Sequence, residues 1–271
     1  MTHDLLQQLR VEPGSAPRLD KRDPDVRIGA PSKQEGLERL REQVERLGAL
    51  QVKLAAEATR AVLVVLQGMD ASGKDGTIRH VFTGVNPQGC RVVSFDVPTK
   101  NELAHDYLWR VHAHCPARGE IAIFNRSHYE DVVAVRVRGL VPKRVWKRRY
   151  EHIRGFERML TDEGTTVLKI FLQVSRDEQG RRLQERLDDP EKRWKFRAGD
   201  LDDRKLWDDY MAAYEDAIRE TSTEWAPWFV VPADHNWVRN LAVGEILVDA
   251  LDRLRLQLPK PDPGLDGVEV P

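Results

Sequence analysis

The segment GMDASGKDGT at 68–77 constrains the chain more than any other stretch. It follows AVLVVLQ (61–67), a short apolar run rich in β-branched residues, as a strand covered on both faces would be. A helical pattern follows it. Gly68 and Gly73-Lys74 fit G-x-x-x-x-G-K in the strand–loop–helix context that this motif requires. The glycines let the backbone turn tightly and aim its N–H groups inward. The N-terminus of the next helix adds positive potential, and Lys74 adds a point charge for phosphoryl oxygens. The reading is a phosphate-binding loop made by Gly68, Ala71, Ser72, Gly73, Lys74, Asp75, Gly76 and Thr77. Two residues depart from the general pattern. Asp75 stands where Ser or Thr normally reaches Mg²⁺, and Thr77, two positions on, is an open substitute. Asp70 lies inside the loop, where bound phosphates repel a carboxylate unless a cation intervenes. It reads as a Mg²⁺ contact or as a group positioning the attacking phosphate oxygen. Capping of the turn is the plainer alternative.

Further apolar runs predict strands at 90–96, 120–125, 165–174 and 228–233, with helical stretches at 75–84, 101–114, 127–138, 142–163, 203–221 and 236–256. Strand–helix alternation of this kind predicts a three-layer α/β/α domain with a mostly parallel sheet. Residues 1–33, with Pro13, Pro17, Pro24 and Pro31 among charges, read as an extended arm. Residues 34–257 read as one domain and 258–271 as a loose tail. Leu37, Leu40, Val44, Leu47, Leu50 and Leu54 form one apolar stripe on a charged helix, which packs either on its own domain or on a second copy.

The strand ending at Asn125 is followed by Arg126-Ser127-His128-Tyr129-Glu130-Asp131. A strand end next to a phosphate loop usually carries an acid that organises Mg²⁺. Here it is Asn125, so that charge is missing. Arg126 is expected to point into the crevice at the carboxyl ends of the strands. Ser127 reads as a helix cap. Glu130 and Asp131 either complement a helix dipole or touch metal or substrate. Residues 136–158 carry nine Lys or Arg against two acids, net +7, which is a solvated face or a track for a long anion. Aromatic residues are sparse there, against single-stranded nucleic acid. About residues 176–205, Arg and Lys interleave with Asp and Glu, as in a helical lid that brings arginine onto a transferring phosphoryl group. Arg181, Arg182, Arg186, Arg193, Lys195 and Arg197 are the candidates; a salt-bridged helical hairpin is the alternative.

The 271 residues have a formal net charge of −1, which gives no global pull towards nucleic acid or anionic lipid. The two cysteines, Cys90 and Cys115, fit no zinc spacing. No apolar run is long enough to span a membrane, and the first residues lack the apolar core of a signal peptide, so the expected location is the cytoplasm.

GMDASGKDG, NRSHYEDV, RLDDPEKRWKF, DLDDRKLWDDYMAAYEDAI and TSTEWAPWFVVPADHNWVRNLAV occur in this order, and with them the chain resembles family 2 polyphosphate kinases over about residues 36–257. The combination is far more specific than the loop alone. The resemblance implies a P-loop kinase fold with a helical lid, and Mg²⁺-dependent transfer of a terminal phosphoryl group from inorganic polyphosphate to a nucleotide. It implies roles for Asp70 and Lys74 in the loop, for Asn125 and Arg126 at the strand end, and for Arg186 in the lid. The NRSHYE form resembles the subgroup acting on nucleoside mono- and diphosphates, so AMP and ADP are the expected acceptors and ATP the end product. Glu130 is a candidate for choosing between them. A homo-oligomer, dimer or tetramer, is also implied. An ATP-dependent P-loop kinase and a non-catalytic polyphosphate or nucleotide sensor are the competing readings. Nucleic-acid binding has no motif behind it.

Overall fold

The five apolar runs become five parallel strands. A computed structural model describes residues 2–261. In chain order its elements are α1 (Thr2–Leu9), β1 (Arg10–Val11), α2 (Lys33–Glu57), β2 (Ala61–Gln67), α3 (Lys74–Val81), β3 (Cys90–Ser94), α4 (Lys100–Leu103), α5 (Trp109–His112), β4 (Ile121–Asn125), α6 (Ala134–Val137), α7 (Lys143–Asp162), β5 (Thr165–Gln173), α8 (Arg176–Asp188), α9 (Ala198–Lys205), α10 (Trp207–Thr221), β6 (Trp228–Pro232) and α11 (Asn236–Arg253). The sheet order is β1-β6-β5-β2-β4-β3. All neighbours are parallel except the short β1, which runs antiparallel to β6. Every residue of β2 is buried, as expected for a strand between helical layers. β2 and β4 lie side by side with Leu66 opposite Asn125. Their carboxyl ends therefore bring the glycine-rich loop and the Asn125-Arg126 turn to one crevice.

The stripe on α2 is covered within the chain. Leu40, Leu47, Leu50 and Leu54 are buried, and α2 packs along α11. Leu37, at the start of α2, is the exposed member.

Three expectations need correction. Among the described residues, the segment expected as an extended arm at 1–33 is instead packed on the fold. Leu5, Leu6, Leu9 and Val11 are buried because α1 lays an apolar face on the fold and β1 extends the sheet edge. The backbone N–H groups of Arg18 and Leu19 then donate to the Glu215 carboxylate, each at 2.9 Å. The predicted helix at 101–114 is two short helices, broken where the Asp106 side chain accepts from the Leu108 N–H at 3.0 Å and forms a local turn. The predicted helix at 127–138 is a 3₁₀ turn at His128–Asp131 followed by α6. There, adjacent residues His128 and Tyr129 are both drawn into the core. The expected tail lies outside the described residues from position 262 onward.

The interior that receives His128 and Tyr129 is charged. Lys169, on β5, donates to Glu157 of α7 at 2.6 Å, to the Thr221 carbonyl of α10 at 2.6 Å and to the Tyr129 hydroxyl at 3.1 Å. Tyr129 in turn donates to Glu157 at 2.8 Å. Lys169, Glu157 and His128 are fully buried. A buried ion pair gives little net stability, but removing one partner leaves an uncompensated charge. Glu157→Gln is expected to destabilise the fold by about 3–5 kcal/mol, and Glu157→Leu combined with Lys169→Met to recover much of that loss. Denaturant unfolding of the three proteins measures both effects.

Candidate active site

The crevice is built from two backbone turns held in uncommon conformations. β2 ends into Gly68 (φ 148°), and the chain turns through Ala71 (φ 62°) and Gly73 (φ 102°) before α3 starts at Lys74. At the end of β4, Arg126 has φ 62°, and its N–H donates to the Leu66 carbonyl at 3.1 Å. A left-handed residue with a side chain costs about 1–2 kcal/mol. Ala71 and Arg126 are thus strained positions in the two turns that build the crevice, as functional turns often are.

The Arg126 guanidinium donates to the Asp70 carboxylate. Burial opposes the charge on Asp70, but the cations of Lys74, Arg126 and Arg186 outweigh it and hold the carboxyl below its usual range. Lys74 is buried, and its ammonium donates to the Gly68 and Met69 carbonyls at 2.7 and 3.2 Å. Burial, with Arg126 nearby, pushes the Lys74 ammonium down to about 8, against the pull of Asp70, Glu130 and Asp75. Glu130 moves up, because burial and Asp70 outweigh Arg126 and Lys74. Gln67 fixes it in place: the amide is turned so that its N–H donates to Glu130 at 3.1 Å and its oxygen accepts from the Ser127 N–H at 3.1 Å.

The Asn125 amide donates to Asp75 at 2.7 Å. The strand-end residue has lost its charge, and a carboxylate stands beside it in the loop. Thr77, two positions on, has a hydroxyl without a hydrogen-bond partner among the described residues. It is fully buried on the inner face of α3 with Lys74 and Val81, and its N–H is used by the Gly73 carbonyl at 2.9 Å. Ser72 is likewise buried. Gly76 lies in the first turn of α3, beside the loop.

A cleft of about 400 Å³ opens from the loop. Its charged lining includes Asp70, Arg126, Glu130, Arg138 and Asp200, and Phe95, Val97, Pro98 and Leu140 supply an apolar part. The segment expected as a lid reaches this cleft through Arg197, Gly199, Asp200 and Asp203. Arg186 lies 3.9 Å from Asp200. Two other lid candidates stand elsewhere. Arg182 does not face the cleft with a free guanidinium. It pairs with Glu178 at 2.7 Å and donates to the carbonyls of Ala71, Ser72, Ala233 and Asp234 at 2.7–3.3 Å, bracing the loop from behind. Lys195 is exposed on a 3₁₀ turn, with its ammonium 5.2 Å from the Trp194 ring, and does not line the cleft.

The basic run at 136–158 divides. Arg136, Arg138, Arg149 and Arg158 pair with Asp216, Asp203, Asp131 and Asp162, and Arg154 donates to the Glu220 carbonyl. Lys143, Arg144, Lys147 and Arg148 remain as an exposed group at the start of α7. It is not one continuous free track, because most of its cations are tied to the fold.

The polyphosphate kinase 2 (PPK2) family model matches residues 30–259. The chain belongs to this family. It is 59% identical over 266 residues to the AMP/ADP-polyphosphate phosphotransferase of Meiothermus ruber, covering 98% of this chain and 100% of that one. It is 45% identical to the ADP-polyphosphate phosphotransferase of Rhodopseudomonas palustris, over 95% and 93% of the two chains. The crystal structure of polyphosphate kinase 2 from Arthrobacter aurescens TC1 superposes with a TM-score of 0.93 at 44% identity, over 97% and 94% of the chains. The α/β fold expected from the strand pattern is thus that of PPK2 structures.

One residue of this PPK2 site is not among the candidate site residues of the sequence. Arg239 sits in α11, within the family-like segment that ends NWVRNLAV, and its guanidinium donates to the Ser72 carbonyl at 3.5 Å. Only the three-dimensional closure of α11 on the loop reveals it.

The depressed Lys74 gives a pH prediction. In the free protein its charge is lost as pH rises through about 8, whereas bound phosphate holds the proton on. The value of kcat/KM for polyphosphate is expected to fall above pH about 8 while kcat stays flat over the same limb. Initial rates across pH 6.5–9.5 at varied polyphosphate measure the split.

Proposed function

We propose that this chain transfers the terminal phosphoryl group of inorganic polyphosphate to AMP and to ADP, giving ADP and ATP, with Mg²⁺ as cofactor. The observation that carries the reading is the group of cations, Lys74, Arg126 and Arg186, around the loop carboxylate Asp70. It occurs in a chain that matches an AMP/ADP-polyphosphate phosphotransferase from end to end.

In this reaction an ionised phosphate oxygen of the acceptor attacks the terminal phosphorus of the chain. The bridging P–O bond breaks, and the shortened polyphosphate leaves with the electron pair. No strong base is needed, since the attacking oxygen carries no proton to remove. Catalysis is positioning plus neutralisation of charge. The loop amides and Lys74 hold a phosphate group, and Arg126 and Arg186 face the charge that spreads over the transferred group. Glu130, held by Gln67 beside Arg126, is placed to influence which acceptor is used. Polyphosphate offers no base or sugar to recognise, so charge and geometry must do all the selecting.

Among the described residues, no group of three His, Cys, Asp or Glu forms a metal cage. That suits Mg²⁺, which is usually held by one or two carboxylates together with substrate phosphates. Asp70, kept ionised by its neighbours, is the residue that would hold it, and the ion would supply neutralisation between donor and acceptor phosphates. The family resemblance supports a homo-oligomer, a dimer or tetramer. The α2 stripe is not its interface, since α11 covers it. No helix among the described residues is long and apolar enough to cross a membrane, and a cytoplasmic location stays the sequence's expectation.

A coupled luminescence assay with Mg²⁺, long-chain polyphosphate and either AMP or ADP tests the reading. ATP is expected from ADP, and also from AMP by two successive transfers. Lys74→Ala and Asp70→Ala are each expected to lower the rate by at least about a hundredfold. ATP from ADP alone would remove AMP from the acceptors, and no ATP from either, with folded protein, would refute the proposal.

A further inference from the structure

Four Lys or Arg side chains are buried among the described residues: Lys74, Arg110, Lys169 and Arg239. Lys169 has Glu157 at 2.6 Å, and Arg110 has Glu102 at 3.9 Å. Lys74 and Arg239 have no carboxylate within ion-pair distance, and these two lie against the same loop. Lys74 reaches the Gly68 and Met69 carbonyls. Arg239 comes from α11. Its donors go to neutral acceptors: Asn236 at 2.7 Å, Asn240 at 3.0 and 3.2 Å, and the Ser72 carbonyl at 3.5 Å.

The approach is close. A Cβ on Gly73 would overlap Arg239 Nη1, and one on Gly76 would lie 3.1 Å from Nη2. The guanidinium therefore packs on the loop–helix junction, at the positive end of α3, where a cation is disfavoured. Burial and the neighbouring Arg182 charge push it down to about 9. Arg182 touches the same carbonyl but carries Glu178 as its counter-charge. For stability alone, this place suits an apolar side chain better than a cation. A counter-charge for Arg239 becomes available only when the loop holds phosphate.

We propose that Arg239 is an electrostatic positioning residue of the phosphate loop, a cation buried behind Gly73 and Gly76 whose missing anion is the phosphate group of the bound polyphosphate. It touches no substrate and acts through the loop backbone. It destabilises the empty loop and strengthens the filled one, so part of the phosphate affinity is stored as unpaired charge in the free protein. The inference rests on the polyphosphate reading for the identity of the anion. It also assigns a reason to Gly76, which the loop motif does not require: the space of its missing side chain is next to Arg239.

The test compares thermal unfolding midpoints of the wild type, Arg239→Met and Arg239→Lys, without ligand and with tripolyphosphate, in the absence of nucleotide. The wild type is assayed in parallel with polyphosphate and AMP. A merely structural arginine and an electrostatic one predict opposite signs for the free protein. The expected result is that Arg239→Met keeps or raises the unliganded midpoint and loses most of the rise caused by tripolyphosphate. Its KM for polyphosphate should increase about tenfold with a smaller change in kcat, a loss of about 1.4 kcal/mol in affinity. Arg239→Lys is expected to keep part of the tripolyphosphate rise. An unliganded midpoint clearly lowered in Arg239→Met, or failure of that variant to fold, would overturn the proposal, because a charge that weakens the free fold cannot be what holds it together. So would a tripolyphosphate response equal to the wild type. Absence of wild-type turnover with AMP, with the tripolyphosphate response intact, would instead count against the functional reading.

Discussion

Positive charge buried without a carboxylate partner is unstable, and the site of this protein depends on that instability. Removing an ammonium or guanidinium from water carries a penalty that a counter-ion normally offsets. Around the glycine-rich loop the offset is incomplete. Asp70 and Glu130 stand among the charges of Lys74, Arg126 and Arg186, and Arg239 behind the loop has neutral partners only. A polyanion entering the crevice completes the charge balance. The arrangement suits a substrate recognised by charge alone, and it explains how a chain of net charge −1 can hold one.

The rest of the fold keeps these charges where they are. β2 and β4 are neighbours in register, which brings the loop and the Arg126 turn together. Arg126 occupies a left-handed conformation that the residues after it must hold. His128 and Tyr129 do so by entering the interior, where Tyr129 bonds to Glu157 and Thr221 and accepts from Lys169. The turn is thereby tied to α7, α10 and β5. Behind the loop, Arg182 links it to α8 and to the carbonyls that follow β6. The site is braced by polar contacts on both sides, and the acid missing at Asn125 is offset in position by Asp75.

Much of this was legible in the sequence because it rests on local signals. The strand runs, the loop and the Asn125-Arg126 strand end are short patterns whose physics is contained in a few neighbouring residues. What was not legible rests on contacts between distant segments. Four prolines masked the Leu5-Leu6-Leu9 face, whose value appears only when β1 meets β6. The helix expected at 127–138 gave way to a tertiary demand on His128 and Tyr129. Arg182 and Arg186 look alike as lid arginines, and only the packing of α8 on the loop separates a brace from a group that approaches Asp200. Arg239 lies in a segment that the family resemblance includes, but its contact with the loop is made only when α11 packs there.

The central claim is that burial weakens the hold of Lys74 on its proton in the empty loop and that phosphate strengthens it. Proton uptake on binding tests it most directly. Calorimetric titration of the protein with tripolyphosphate near pH 8.5, in buffers of different ionisation enthalpy, reads the number of protons taken up. With Lys74 pushed down to about 8 in the free protein, the account predicts a substantial fractional uptake at that pH, greatly reduced in Lys74→Ala. Binding with no uptake, or with the same uptake in Lys74→Ala, would contradict it.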